Sequence, residues 1–259
     1  MLSSLLSSDI LFYIGLGFLA QLIDGALGMA YGLIATSVML AWGAPPAIAS
    51  ASIHAAEIVT TGLAGSSHVW NKNVDWKLFK RLAPAGVAGG IVGAYILVGL
   101  PETIVKVFVT LYLMGMAFLL LRRILAGKQK RKTEKQKEKT APVIPIGIGG
   151  GFLDAIGGGG WGPLVTSTLI ARGDHPRQSI GSATLSEFFV TLSISVAFLM
   201  TLDLSKYAAA LAGLIIGGAM AAPLAGILGR VLPARILMIA VAAVVTILGI
   251  FNFVQLARG

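Results

Sequence analysis

Cysteine is absent from the 259 residues, so disulfides and thiolate sites are excluded and the redox compartment cannot be read. Charge is scarce too. Only 12% of residues are Asp, Glu, Lys or Arg, about half the share of a globular protein. The N-terminus lacks the basic flank of a signal peptide, and its apolar run continues to Ile23. Apolar runs are continuous rather than alternating, which excludes a membrane β-barrel.

What fills the chain instead is apolar sequence: 56% hydrophobic residues and a mean hydropathy of +0.86. Several stretches reach about 18 residues, enough to cross a bilayer core of roughly 30 Å. Backbone groups in lipid must be satisfied internally, so the spans are helices. The fold class is therefore an all-α polytopic membrane protein. The formal charge of +9 does not point to nucleic acid, because the excess is local. Residues 122–139 hold nine Lys/Arg and two Glu. With a glycine and no apolar periodicity, the segment reads as a solvated linker.

Residues 149–163 organise the chain. Gly149-Gly150-Gly151-Phe152-Leu153-Asp154-Ala155-Ile156 leads into Gly157, Gly158, Gly159 and Gly160, then Trp161-Gly162-Pro163. Each glycine costs a helix about 1 kcal/mol relative to alanine. Pro163 suits the first turn of a new helix. The stretch predicts helix, break, helix, with Asp154 ending the first.

The pattern occurs twice. At an offset of 130 positions, Asp24 matches Asp154, Gly28 matches Gly158, and Tyr31 meets Trp161. Thr36-Ser37 match Thr166-Ser167, and Glu57 matches Glu187. Two acidic residues at one offset identify two copies of one unit. The organisation expected is a first repeat over 1–124, a basic linker over 125–141, and a second repeat over 142–259. Each repeat has a glycine-broken helix pair followed by three spanning helices.

The break predicts no single topology. It can be one broken crossing, a re-entrant hairpin, or two short crossings. Basic loops stay cytoplasmic. An odd number of spans per unit places 17 of the 20 Lys/Arg on the linker side, against 15 for an even number. This favours inverted repeats, with the basic linker (122–140) cytoplasmic and both termini outside. In the helix over 82–100, Gly86, Gly90 and Gly89, Gly93 lie at four-residue spacing, which lets helices approach closely in lipid.

Glycine-broken helices in inverted repeats are a recurring transporter plan, with the site near the midplane. Backbone amides of a break beside a helix N-terminus can cradle an anion. Substrate-binding candidates are Gly28, Tyr31, Thr36, Ser37 and His54 in the first copy. In the second they are Gly157, Gly158, Gly159, Gly160, Trp161, Thr166 and Ser167. Alternatively the glycines serve only close helix packing. Asp24, Glu57, Asp154 and Glu187 are proton-coupling candidates, because a carboxylate at mid-membrane costs about 3 kcal/mol and calls for burial against protein. The aspartates can instead hydrogen-bond the loosened backbone of their own breaks. His54, one turn before Glu57, is either a ligand or a satisfied interior residue. No cofactor motif, metal-ligand spacing or nucleophile constellation is present, so an enzyme is not expected.

The glycine–aspartate–glycine pattern in 17–32 and 147–162 resembles the sulfite exporter TauE/SafE family, also described as toluene-sulfonate uptake permeases. The resemblance covers essentially the whole chain. It implies secondary transport of small sulfur-containing anions, such as sulfite, sulfoacetate or related sulfonates, across a bacterial inner membrane. The partners implied are a small anion and the lipid bilayer. An uncoupled channel and a non-transporting assembly factor are the alternatives.

Overall fold

A computed structural model describes residues 8–126, 142–171, 175–231 and 233–258. The described residues contain helices and no strand. The first copy runs α1 (Ser8–Leu27), α2 (Tyr31–Ala41), α3 (Pro46–Trp70), α4 (Trp76–Gly99) and α5 (Glu102–Ala126). The second runs α6 (Val143–Gly157), a π-helical turn (Trp161–Thr166) continuing into α7 (Ser167–Ala171), then α8 (Pro176–Thr201), α9 (Ala208–Val231) and α10 (Ala234–Arg258). In each half of the described chain a short broken pair is followed by three long helices. The basic linker lies almost wholly outside the described residues.

Among the described residues seven helices are long and apolar enough to cross a membrane: α1, α3, α4, α5, α8, α9 and α10. The 11 residues of α2 and the 15 of α6 are apolar but short. At about 1.5 Å per residue, neither spans a hydrocarbon core of roughly 30 Å. Chain chemistry sets several boundaries. Pro46 and Pro176 open α3 and α8, where a missing amide hydrogen is harmless. The carboxylate of Asp75 caps α4, accepting from the amides of Lys77 (2.8 Å) and Leu78 (3.2 Å). That cap starts α4 at Trp76, six residues before the helix expected over 82–100. Both aspartates also sit inside the last turn of their helices, because α1 and α6 each continue three residues beyond them.

Small residues govern the packing. A methyl group at Gly89 would overlap the carbonyl of Ile148, and one at Gly93 would lie 2.7 Å from that of Phe152, so α4 rides on α6 backbone to backbone. Gly86 and Gly90 face Trp161 and Ile194 instead. The four-residue glycine spacing thus serves two faces at once. Gly213 and Gly217 of α9 meet α1 near Ile10 and Ile14, and Gly25 faces Ala225, so α1 and α9 run in the same direction. Contacts of Gly147 and Gly151 with 82–90 make α6 and α4 parallel too. In contrast, Gly62 faces Phe188 and Gly65 faces Leu185, so α3 and α8 cross in opposite directions. Each broken segment therefore packs mainly on a helix of the other copy.

Candidate functional site

The two breaks are built alike. The amide of Gly28 bonds the carbonyl of Asp24 (2.5 Å), and that of Gly158 bonds the carbonyl of Asp154 (2.7 Å). Gly28 (φ 71°) and Gly158 (φ 65°) adopt the left-handed conformation that ends a helix and that only glycine enters cheaply. Each aspartate then reaches forward over its own break. Asp24 Oδ1 accepts from the amide of Tyr31 (3.1 Å). Asp154 Oδ1 accepts from the amides of Gly160 (2.6 Å) and Trp161 (2.9 Å). The carboxylates occupy the positive helix starts expected for an anionic ligand.

The breaks also touch. A methyl group at Gly32 would overlap the carbonyl of Gly158, and one at Gly162 would come within 3.0 Å of Met29. Thr36 donates its hydroxyl to the Gly158 carbonyl (3.0 Å). Trp161 is fully buried and donates Nε1–H to the Ala183 carbonyl (2.9 Å), while the Tyr31 hydroxyl donates to that of Leu214 (3.4 Å). Those aromatic residues anchor each break on a neighbouring helix. Ser37 bonds its own helix at Leu33 (2.7 Å). Thr166 is buried, and Ser167 is buried with a hydroxyl that has no partner.

His54 is fully buried and crosses between the copies. Its Nδ1 lies 2.7 Å from the Ser50 carbonyl, which only accepts, so Nδ1 carries a hydrogen. Its Nε2 lies 3.3 Å from Asp154 Oδ2. Nε2 is thus the ring nitrogen that faces the Asp154 carboxylate. Ser50 fixes this geometry by donating its hydroxyl to the Ala155 carbonyl (2.6 Å).

Beside the joined breaks lies a cavity of about 10 Å³, the space of one water molecule. Asp24, Glu57 and Glu187 line it, with Tyr31, Trp161 and backbone of both breaks. Glu57 is 6% exposed and its Oε2 has no hydrogen-bond partner. Asp154 stands within electrostatic reach of both glutamates. No Lys or Arg lines the cavity. Among the described residues no cluster of His and acidic residues converges as metal ligands would. Tyr112 was not singled out by sequence. Its ring covers Gly157, and its buried, unpartnered hydroxyl lies against Gly160. A single tyrosine in an apolar helix carries no pattern that would reveal this.

The profile of the family described as "Sulfite exporter TauE/SafE" matches residues 13–252. The "Probable membrane transporter protein YtnM" of Bacillus subtilis (strain 168) is 40% identical over 213 residues, covering 81% of this chain and 71% of YtnM. No solved structure matches. With the matched region enclosing both breaks and nearly all of the ten described helices, the chain belongs to the sulfite exporter TauE/SafE family and is a membrane transporter.

Proposed function

We propose that this transporter is a proton-coupled secondary carrier of small sulfur-containing anions, such as sulfite, sulfoacetate or related sulfonates. It works by alternating access between two inverted repeats, 1–124 and 142–259, in the plasma (inner) membrane. The basic linker is cytoplasmic and both termini are outside. The opposed directions of α3 and α8, which hold matching positions in the two copies, support inversion, because a two-fold axis in the membrane plane reverses equivalent helices.

The observation that carries the coupling is the cavity lined by Asp24, Glu57 and Glu187 with no basic side chain. An anion about 4 Å from one ionised carboxylate meets a repulsion of about 4 kcal/mol at an effective dielectric near 20. Two or three such groups would bar it. The anion enters this region only when the glutamates carry protons, so anion and proton travel together. Asp24 and Asp154 stay with their own breaks and keep the backbone open. The amides of Gly157 to Gly160, the Thr36 and Thr166 hydroxyls, and the hydroxyls of Ser167 and Tyr112 then supply donors as the repeats rock.

The test is flux into liposomes for a panel of sulfite, sulfoacetate, taurine and acetate, with and without a proton gradient. Gradient-driven flux of a sulfur anion, lost in Glu57→Gln and Glu187→Gln, is expected. Equal flux with and without the gradient, in wild type and both variants, sinks the coupling and leaves an uncoupled channel.

A further inference from the structure

A second and much larger cavity, of about 430 Å³, opens where the end of α2, the start of α5 and the end of α10 meet. It is about the size of a small-ligand pocket, whereas the carboxylate cavity holds one water. Its lining includes Thr103, Lys106, Thr110, Asn252 and Gln255, an unusual density of hydrogen-bond donors for two apolar helices. Asn252 is only 6% exposed and its Nδ2 has no acceptor in the protein. Thr110 is likewise buried. Lys106 brings the fixed positive charge, held at rest by Glu102 at 2.7 Å. Glu102 is the more exposed of the two and belongs to the same helix turn. This end of the bundle is opposite Arg122 and the basic linker.

We propose that this cavity is an oxyanion-binding vestibule on the outer face. A sulfonate or sulfite displaces Glu102 from Lys106 and is held by the hydroxyls and amides around it. The vestibule collects the anion before it reaches the carboxylate cavity. The outer placement and that last role rest on the transporter reading; the binding itself does not. The shared chemistry is a tetrahedral oxyanion, and a lipid phosphate offers the same oxygens as a free sulfonate. Glu102 makes the arrangement directional in its predictions: removing the lysine weakens binding, and removing the glutamate strengthens it. A lysine kept only for an exposed helix ion pair gives loss in neither assay.

The chain has no cysteine, so Thr103→Cys places a single thiol at the cavity mouth. In phosphatidylcholine liposomes the thiol is labelled with a sulfonate-bearing and a trimethylammonium-bearing methanethiosulfonate. The sulfonate reagent is expected to react faster, by about tenfold once the same ratio in Thr103→Cys/Lys106→Gln is divided out. Glu102→Gln raises the ratio, and Asn252→Leu lowers protection of the thiol by millimolar methanesulfonate. Protection by methanesulfonate identifies a free anion as the occupant. Protection appearing only with phosphatidylglycerol, and lost in Lys106→Gln, identifies a lipid phosphate. A reagent ratio indifferent to both Lys106→Gln and Glu102→Gln, with no protection by either source, overturns the proposal. Labelling needs no flux, so failure here is separate from failure of coupled transport.

Discussion

At the second break the Asp154 carboxylate is 1% exposed and has three partners: the amides of Gly160 and Trp161, and His54 from the other copy. At the first break the matching Asp24 carboxylate is half-buried and bonds the amide of Tyr31, with that of Ala30 also turned toward it. The position matching His54 is Thr184, so no imidazole is placed to reach Asp24 in the same way. The first break also places Ala30 at φ 139°, a conformation that suits glycine, whereas in the second break the comparable φ (156°) falls on Gly159 and Gly160 sits at −106°. One design has therefore been built twice to different firmness. Fewer bonds and a strained residue lower the free energy of local opening. The second break is therefore the more firmly held half of the joint.

The strongest test removes the joint itself. A methyl group at Gly32 would overlap the Gly158 carbonyl and the Cα of Gly159, and backbone cannot swing aside. Gly32→Ala is expected to cost about 3 kcal/mol or more and to lower the yield of folded protein on size exclusion. Gly28→Ala meets no atom within 4 Å and carries only the left-handed penalty, about 1–2 kcal/mol. Similar losses at the two positions would mean that the breaks do not depend on touching.

Next come the aspartates. Removing a charged acceptor costs about 1.5–3 kcal/mol per hydrogen bond. Asp154→Ala should therefore lower the thermal midpoint in detergent more than Asp24→Ala, by roughly twofold. Equal shifts would erase the asymmetry. The source of the difference is then read in a double-mutant cycle. His54→Phe is expected to couple to Asp154→Asn by about 1.5–3 kcal/mol and not to Asp24→Asn. The smallest effect is a gain: Ala30→Gly should stabilise by about 0.5–1 kcal/mol as backbone strain is relieved, seen as a raised thermal midpoint.

Much of this likeness between the breaks is legible in the chain itself. The offset of 130 pairs Asp24 with Asp154, Gly28 with Gly158 and Tyr31 with Trp161, and those pairs hold matching places in the two breaks. Local backbone chemistry explains the success, since an aspartate, a left-handed glycine and a helix start lie within eight residues. What escapes a sequence reading depends on distant packing. His54 meets Asp154 across 100 positions, and no spacing rule links them. The same is true of Tyr112 beside Gly160 and of Asn252 beside Lys106. The start of α4 is hidden because Asn71 to Arg81 is polar, yet the Asp75 cap opens a helix there. The π-helical turn at Trp161–Thr166 accompanies the seating of Trp161 between α4 and α8, contacts that no local pattern signals.

The proposed coupling requires the carboxylate cavity to move protons whenever it moves a sulfonate, and one measurement addresses this directly. Protein is reconstituted in liposomes containing a pH-sensitive dye, with equal pH on both sides, and methanesulfonate is added outside. A sulfonate holds no proton of its own at neutral pH, so with the membrane potential clamped by potassium and valinomycin any proton that moves with it is carried by the protein. The lumen is expected to acidify in step with anion uptake, and Glu57→Gln to abolish the acidification. Anion uptake with no acidification in the wild-type protein, unchanged in Glu57→Gln, would contradict coupled transport through this cavity.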